Sequence, residues 1–336
     1  MKFKSIRYQR LMQGALIGVL LASAALALCL GRYGIPLDEL FSVLAGQPAA
    51  NETTYTVLFS IRLPRLFMAM IVGAGLSVAG LSLQAIFGNP LVSSDILGVS
   101  AAAGFGAALG ILLVGDSLAV QAMAILFGFA GIACTYGMSR RRGRSTVLTL
   151  VLSGVIVGAV FQALVSLVKF VADPQNTLPA ITYWLMGSLA GTSVADVITV
   201  GPAIIAGIGV LWCLRWKLNV LSLPEDEAVS LGVNVKRLRL VVIAAATVIA
   251  ALTVSICGIV TFVGLAVPHF ARMLTGNDHK FLLPACVLVG AVFMVLIDTG
   301  ARAATPAEIP LSILTAIVGA PFFAVLLRRT GGAWSD

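Results

Sequence analysis

The sequence predicts an all-α, polytopic membrane protein with about ten transmembrane helices, built as one domain over residues 1–336. Three observations lead there. Apolar residues make up 59% of the chain and charged residues 11%, with a mean hydropathy of +1.04, which leaves too little polar surface for a soluble domain. Apolar stretches of about twenty residues recur, the length needed to cross a hydrocarbon core. The chain is also rich in glycine, with 34 residues, as closely packed membrane helices require, and nothing alternates at period two as a barrel strand would.

Charge, proline and turn residues divide the chain into spans near 11–31, 64–87, 95–114, 118–138, 147–171, 194–214, 238–257, 261–274, 281–301 and 310–327. The basic segment Met1 to Arg10 ahead of the first run resembles a signal peptide. The run exceeds a typical signal core, so it is expected to stay as the first span. Phe87 to Asp95 reads as a tight inner turn, with Asn89-Pro90 breaking one helix and Ser94 or Asp95 capping the next. The eighth span is short and is expected to be a partial helix held inside the bundle. Gly80-Leu with Gly88-Asn89 is weakly echoed by Gly264-Leu with Gly276-Asn277, each closing an outside-to-inside span.

Two segments are neither plain spans nor plain loops. Residues about 178–191 are apolar and aromatic but too short to cross, and are expected to lie at the outer interface. The loop at about 215–240 carries Glu225, Asp226 and Glu227 side by side. Ser222 and Glu225 make a capping box, Pro224 tolerates a first turn, and Gly232 stops the helix. The expectation is an amphipathic helix of about two turns with Ala228 and Leu231 on one side; the plainer alternative is a solvated tether.

With the N-terminus in the cytoplasm, seventeen of the twenty-two basic residues fall inside, among them Lys2, Arg10, Arg140 to Arg142, Arg215, Lys236 and Arg272. Arg32, Arg62, Arg65, Lys169 and Arg302 fall outside, so both termini are expected to be cytoplasmic. The net charge of +8 therefore reports orientation and not nucleic acid. The five cysteines sit in apolar stretches without paired spacing and read as small packing residues.

Catalytic and metal residues are not evident. The sequence holds no Gly-x₄-Gly-Lys-Ser/Thr loop and no His-Glu-x-x-His, and His269 and His279 lack a ligand trio. His269 is expected to hydrogen-bond at a helix end. Asp298 is the one acid well inside a predicted span, Asp95 and Asp196 standing at span starts; it lies one turn before Arg302, and an Asp/Arg pair explains it without a proton relay. The fifth span carries a stripe of Gly158, Gln162, Ser166 and Lys169, which could line a polar route or hydrogen-bond across a helix interface.

Motifs in fixed order then point further. They are Arg62-Leu-Pro-Arg65, Gly88-Asn-Pro-Leu91, Tyr183-Trp-Leu-Met-Gly-Ser-Leu-Ala-Gly191, Glu227-Ala-x-x-Leu-Gly-Val233, Phe262-Val-Gly-Leu-Ala-Val-Pro-His269, Asp298-x-x-x-Arg302, Glu308-Ile-Pro310 and Gly319-Ala-Pro-Phe322. Together they resemble, almost end to end, the permeases of binding-protein-dependent type II ABC importers for iron-siderophores, haem and cobalamin. The resemblance implies a bacterial or archaeal plasma (inner) membrane protein that is not itself an enzyme. Its partners would be a second permease subunit, expected to be identical, two cytoplasmic ATP-binding subunits that hold ATP and magnesium, and a periplasmic or lipid-anchored substrate-binding protein. By the same resemblance, Glu225 to Gly232 would seat in an ATPase, the fifth span would border the route, and Arg62, Arg65 and Arg302 would meet carboxylates of the binding protein. An iron-siderophore is the leading cargo, with haem, cobalamin, molybdate and tungstate as alternatives. The rival from another class is an ion-coupled secondary transporter, which the lack of intramembrane carboxylates disfavours.

Overall fold

The structure is a computed structural model that describes residues 5–47, 51–139, 147–221 and 225–330. Ser222 of the expected Ser222–Glu225 capping box and Pro224, together with Lys2, Lys4 and the arginines at 140–142 and 144, lie outside these residues. Among the described residues the chain is helical throughout, with no strand. Its ten main helices are α1 (Ile6–Cys29), α2 (Leu63–Phe87), α3 (Val99–Leu113), α4 (Ser117–Ser139), α5 (Val147–Val171), α6 (Gly201–Cys213), α7 (Val235–Cys257), α8 (Val263–Thr275), α9 (His279–Ala304) and α10 (Leu311–Thr330). Each predicted span contains one of them. Seven helical stretches are long and apolar enough to cross a membrane, and α3, α8 and the first part of α10 are shorter.

The third span is shorter than expected for a local reason. Gly88 leaves α2 at φ +58, Asn89 Oδ1 accepts from Leu91 N at 2.9 Å, and a 3-10 turn at Ser94–Leu97 intervenes, so α3 starts at Val99. Asp95 does not cap α3 through backbone; its carboxylate accepts from the Ser100 hydroxyl.

Helix α2 is the centre of the bundle. It is buried on nearly every side, as a helix that is apolar all round must be, and packs against α6, α7, α8 and α9. Its crossings depend on backbone-to-backbone contact. A Cβ at Gly73 would sit 2.1 Å from the Gly290 carbonyl oxygen, and one at Gly80 would sit 1.9 Å from that of Gly264. The two glycines of the sequence echo thus face one another across the α2–α8 crossing.

Backbone that is not helical is satisfied within the protein. In the segment expected at the interface, the helix is Thr177–Met186, shorter than the expected 178–191, and its exit is tied down twice. Ser188 N donates to the Cys257 carbonyl and Leu311 N to the Gly187 carbonyl, both at 2.9 Å.

Contacts between helix ends sort the two faces. Gln9 Nε2 at the start of α1 donates to the Thr275 carbonyl at 2.9 Å, and Asn219 meets Asp278 and His279 at the start of α9. On the opposite face the end of α1 meets Arg62 and Arg302. The start of α1 and the 215–220 segment therefore share one face, as the alternation of spans requires.

Candidate functional site

The face expected to be outer carries a cluster of five charged groups, Arg62, Arg65, Asp298, Arg302 and Glu308. Val57–Arg62 is a widened π-turn leading into α2, and it sets Arg62 and Arg65 at the mouth of the bundle. Arg65 lies between two carboxylates. Its Nε donates to Asp298 Oδ1 and Oδ2 at 2.9 Å; Nη1 and Nη2 reach Glu308 Oε1 and Oε2 at 3.2 and 2.9 Å; and Nη2 lies 2.8 Å from Asp298 Oδ1. Glu308 is aimed at Arg65 by a left-handed backbone, φ +54, in the loop after α9. Such two-pronged pairing holds a guanidinium in one geometry.

The other two arginines cap a helix. Arg62 donates to the carbonyls of Leu28, Cys29 and Tyr33, and Arg302 donates to that of Ala27. These groups close α1, whose last turn has no basic residue of its own; the Cys29 carbonyl also accepts from Ile35 N at 3.2 Å.

From the sequence, Arg62, Arg65 and Arg302 are expected as accessible outer groups. In the structure they are drawn inward, with Arg62 and Arg65 only 4% and 5% exposed, because buried carbonyls and carboxylates claim their donors. A docking contact at either would require these bonds to open. Asp298 differs too. Its main partner is Arg65 across the α2–α9 interface, and Arg302 Nε is 3.8 Å away and makes no hydrogen bond. A carboxylate paired with Arg65 and close to Arg302 is a structural ion pair, which argues against a proton relay at Asp298.

On the opposite face, the loop expected to lie inside contains two short helices. The first, Arg215–Val220, has no counterpart in the sequence reading, and the second, Glu225–Ser230, is shorter than the expected two turns. Gly232 ends the second at φ +76, with Gly232 N donating to the Val229 carbonyl at 2.9 Å and Val233 N to that of Ala228 at 3.3 Å. This is the reciprocal pair of bonds of a left-handed helix stop. The expected shared face does not form. Ala228 is 1% exposed against the bundle, whereas Leu231, beyond the last helical residue, is 63% exposed. Glu225 and Asp226 lie in this helix, and Glu227 is exposed beside them.

The α5 stripe divides. Gly158 faces the Gly98 turn, where a Cβ would meet Gly98 Cα at 3.8 Å, so it is a packing position. Gln162 and Ser166 lie on the uncovered side of α5, with the Ser166 hydroxyl donating to the Gln162 carbonyl at 3.0 Å, and Lys169 is half-buried. His269 follows Pro268 in the middle of α8 and not at its end.

Sequence reasoning missed several partners. Glu308 stood in a quoted motif without a role. Arg272 Nη2 donates to Gln84 Oε1 at 3.0 Å, joining α8 to α2, and Asn219 is bonded to two residues about sixty positions away, with no local signal for either. Among the described residues no group of three His, Cys, Asp or Glu could hold a metal ion.

Among the described residues the architecture is a bundle of long apolar helices, with a short eighth helix of thirteen residues that carries Pro268 inside it. The chain belongs to the FecCD transport family, whose model matches residues 19–329. It is 40% identical over 314 residues to the molybdate import system permease protein MolB of Haemophilus influenzae, covering 93% of each chain. It is 36% identical over 314 residues to the Fe(3+)-citrate import system permease protein YfmE of Bacillus subtilis, covering 92% of each. A solved inward-facing structure assigned to the metal-chelate type of ABC transporter superposes with a TM-score of 0.86 at 39% identity, covering 94% of this chain and 98% of that one.

Proposed function

We propose that this chain is the membrane-spanning subunit of a binding-protein-dependent importer that carries a metal chelate inward, driven by ATP hydrolysis in separate subunits. The observation that carries the reading is the near full-length likeness to an ABC transporter of metal-chelate type. Two permease copies, two cytoplasmic ATPases and an extracytoplasmic binding protein complete the machine, set in a plasma membrane with both permease termini inside. ATP and magnesium belong to the ATPases.

The site geometry supports a division of labour. The helix Glu225–Ser230 and Gly232 lie on the face shared with the start of α1, where an ATPase would seat, and Glu227, Val229 and Leu231 are exposed there. The outer cluster holds Arg62, Arg65 and Arg302 against Asp298 and Glu308, a surplus of one positive charge that favours an acidic partner. Gln162 and Ser166, on the uncovered side of α5, face the route or the second copy.

An iron chelate is the leading cargo, and the relatives named for molybdate and for Fe(3+)-citrate mark the breadth of chemistry to test. The test is to purify the permease with its ATPase and binding protein, reconstitute it in liposomes, and follow ferric citrate and molybdate. Elemental analysis of the binding protein identifies the cargo it carries. ATP-dependent accumulation is expected. Uptake that follows an ion gradient with the ATPase absent would instead establish an ion-coupled carrier.

A further inference from the structure

The inner end of α9 is held by a side-chain clamp outside the sites described above. Asn219, in the short helix Arg215–Val220, donates from Nδ2 to Asp278 Oδ1 at 2.9 Å. Its Oδ1 accepts from the His279 backbone N–H at 2.9 Å and lies 2.7 Å from His279 Nδ1. The orientation of the amide follows from these partners, since a flipped amide would set its NH₂ against the His279 N–H. Asp278 is the N-cap of α9 and also accepts from Lys280 N at 2.9 Å. Leu218, next in sequence, is fully buried and seats the segment. A six-residue helix has no stability of its own, so these contacts decide where the segment sits.

What the clamp grips is a strut. α9 runs 26 residues, about 39 Å at the α-helical rise. It is joined to α2 by the Gly73–Gly290 crossing, by the Ser77 hydroxyl donating to the Cys286 carbonyl at 2.9 Å, and by Arg65 with Asp298 at the outer end. Packed interfaces of this kind move as units and do not deform continuously.

We propose that Asn219 is a positioning residue for coupling: it fastens the inner loop to the start of α9, so that movement of the loop is delivered through the α2–α9 pair to the outer charge cluster. The inference rests on the ATPase seat proposed for Glu225 to Gly232, in the same loop as Asn219.

Asn219→Asp keeps an acceptor for His279 and sets a carboxylate oxygen against Asp278. Adding Asp278→Asn restores the bond with reversed polarity, and asparagine remains a good N-cap. The readout is the labelling rate of Thr305→Cys, in the exposed outer loop, by an impermeant maleimide with and without ATP. The protein is the assembled permease–ATPase complex with Cys29, Cys134 and Cys213 changed to serine. ATP should change the rate in the parent by about tenfold, within the usual range for coupling between two sites. Asn219→Asp should abolish that change while hydrolysis persists, and the double variant should restore it. An ATP response that survives Asn219→Asp, or that the double variant fails to restore, overturns the clamp. No response in the parent overturns the ATPase seat, and the clamp with it. If Asn219→Asp does not assemble, Asn219→Ser, which loses the Asp278 bond, takes its place: loss of the ATP response with hydrolysis intact is expected, and a response that survives overturns the clamp.

Discussion

Arg65 shows how a charged residue can be built into a membrane protein without a solvent shell. Its guanidinium is divided between Asp298 and Glu308, so removing it leaves two partly buried carboxylates facing one another. Arg65→Ala is expected to destabilise the fold by about 3–5 kcal/mol, the usual cost of breaking a buried pair from one side. Thermal unfolding in detergent checks this, and Arg65→Ala with Asp298→Asn should recover part of the loss. Gly232 is a different case, because nothing lies within 4 Å of a Cβ built there and only its φ of +76 constrains it. Gly232→Val should therefore cost about 1–3 kcal/mol of local strain, whereas Gly232→Asn should be tolerated. If the inner helix transmits motion, ATP-driven uptake falls in the valine variant and survives in the asparagine variant. Full uptake in both would make the loop a tether.

Among elements, the α2 crossings are the least tolerant. A side chain at Gly73 or Gly80 meets backbone that no rotamer can move, so the helices must separate. Gly73→Val and Gly80→Val should each lower the melting temperature sharply. Gly14→Ala in α1, with nothing within 4 Å, should leave it nearly unchanged or raise it. For α5 the question is which polar positions meet water. A thiol reagent should reach Gln162→Cys and Ser166→Cys at a rate that changes with ATP in the assembled complex, and should not reach Gly158→Cys behind the Gly98 turn. Equal reactivity at all three positions would contradict the division of the stripe.

At the scale of the whole molecule, the two faces carry the orientation. In intact cells an impermeant reagent should label Asn51→Cys and not Asn234→Cys, in a background without exposed native cysteines. Labelling at Asn234→Cys would invert the topology. The outer cluster has its own test in Arg302→Gln, which removes the surplus charge and leaves a donor for the Ala27 carbonyl. Capture of the binding protein should slow at low salt and depend less on ionic strength, by about 1 kcal/mol or less for a rim charge. Unchanged capture at both salt concentrations would mark the three arginines as internal supports alone.

What the sequence determined by itself is whatever depends on neighbours in the chain. The number and order of the spans follow from runs of apolar residues, since expulsion from water is decided within a stretch of about twenty. The stop at Gly232 follows from a local backbone angle, and the family from motifs read in order. The tertiary structure decided the rest, because burial and pairing join residues far apart. Arg65 meets Asp298 and Glu308 across 233 and 243 positions, so nothing beside it in the chain distinguishes an outer docking group from an internal clamp. Gly80 and Gly264, alike in sequence context, meet as partners only because two helices cross there. Asn219 finds His279 across 60 positions, and its pairing exists only once the helices have packed, because a hydrogen bond is satisfied by geometry and not by proximity in sequence.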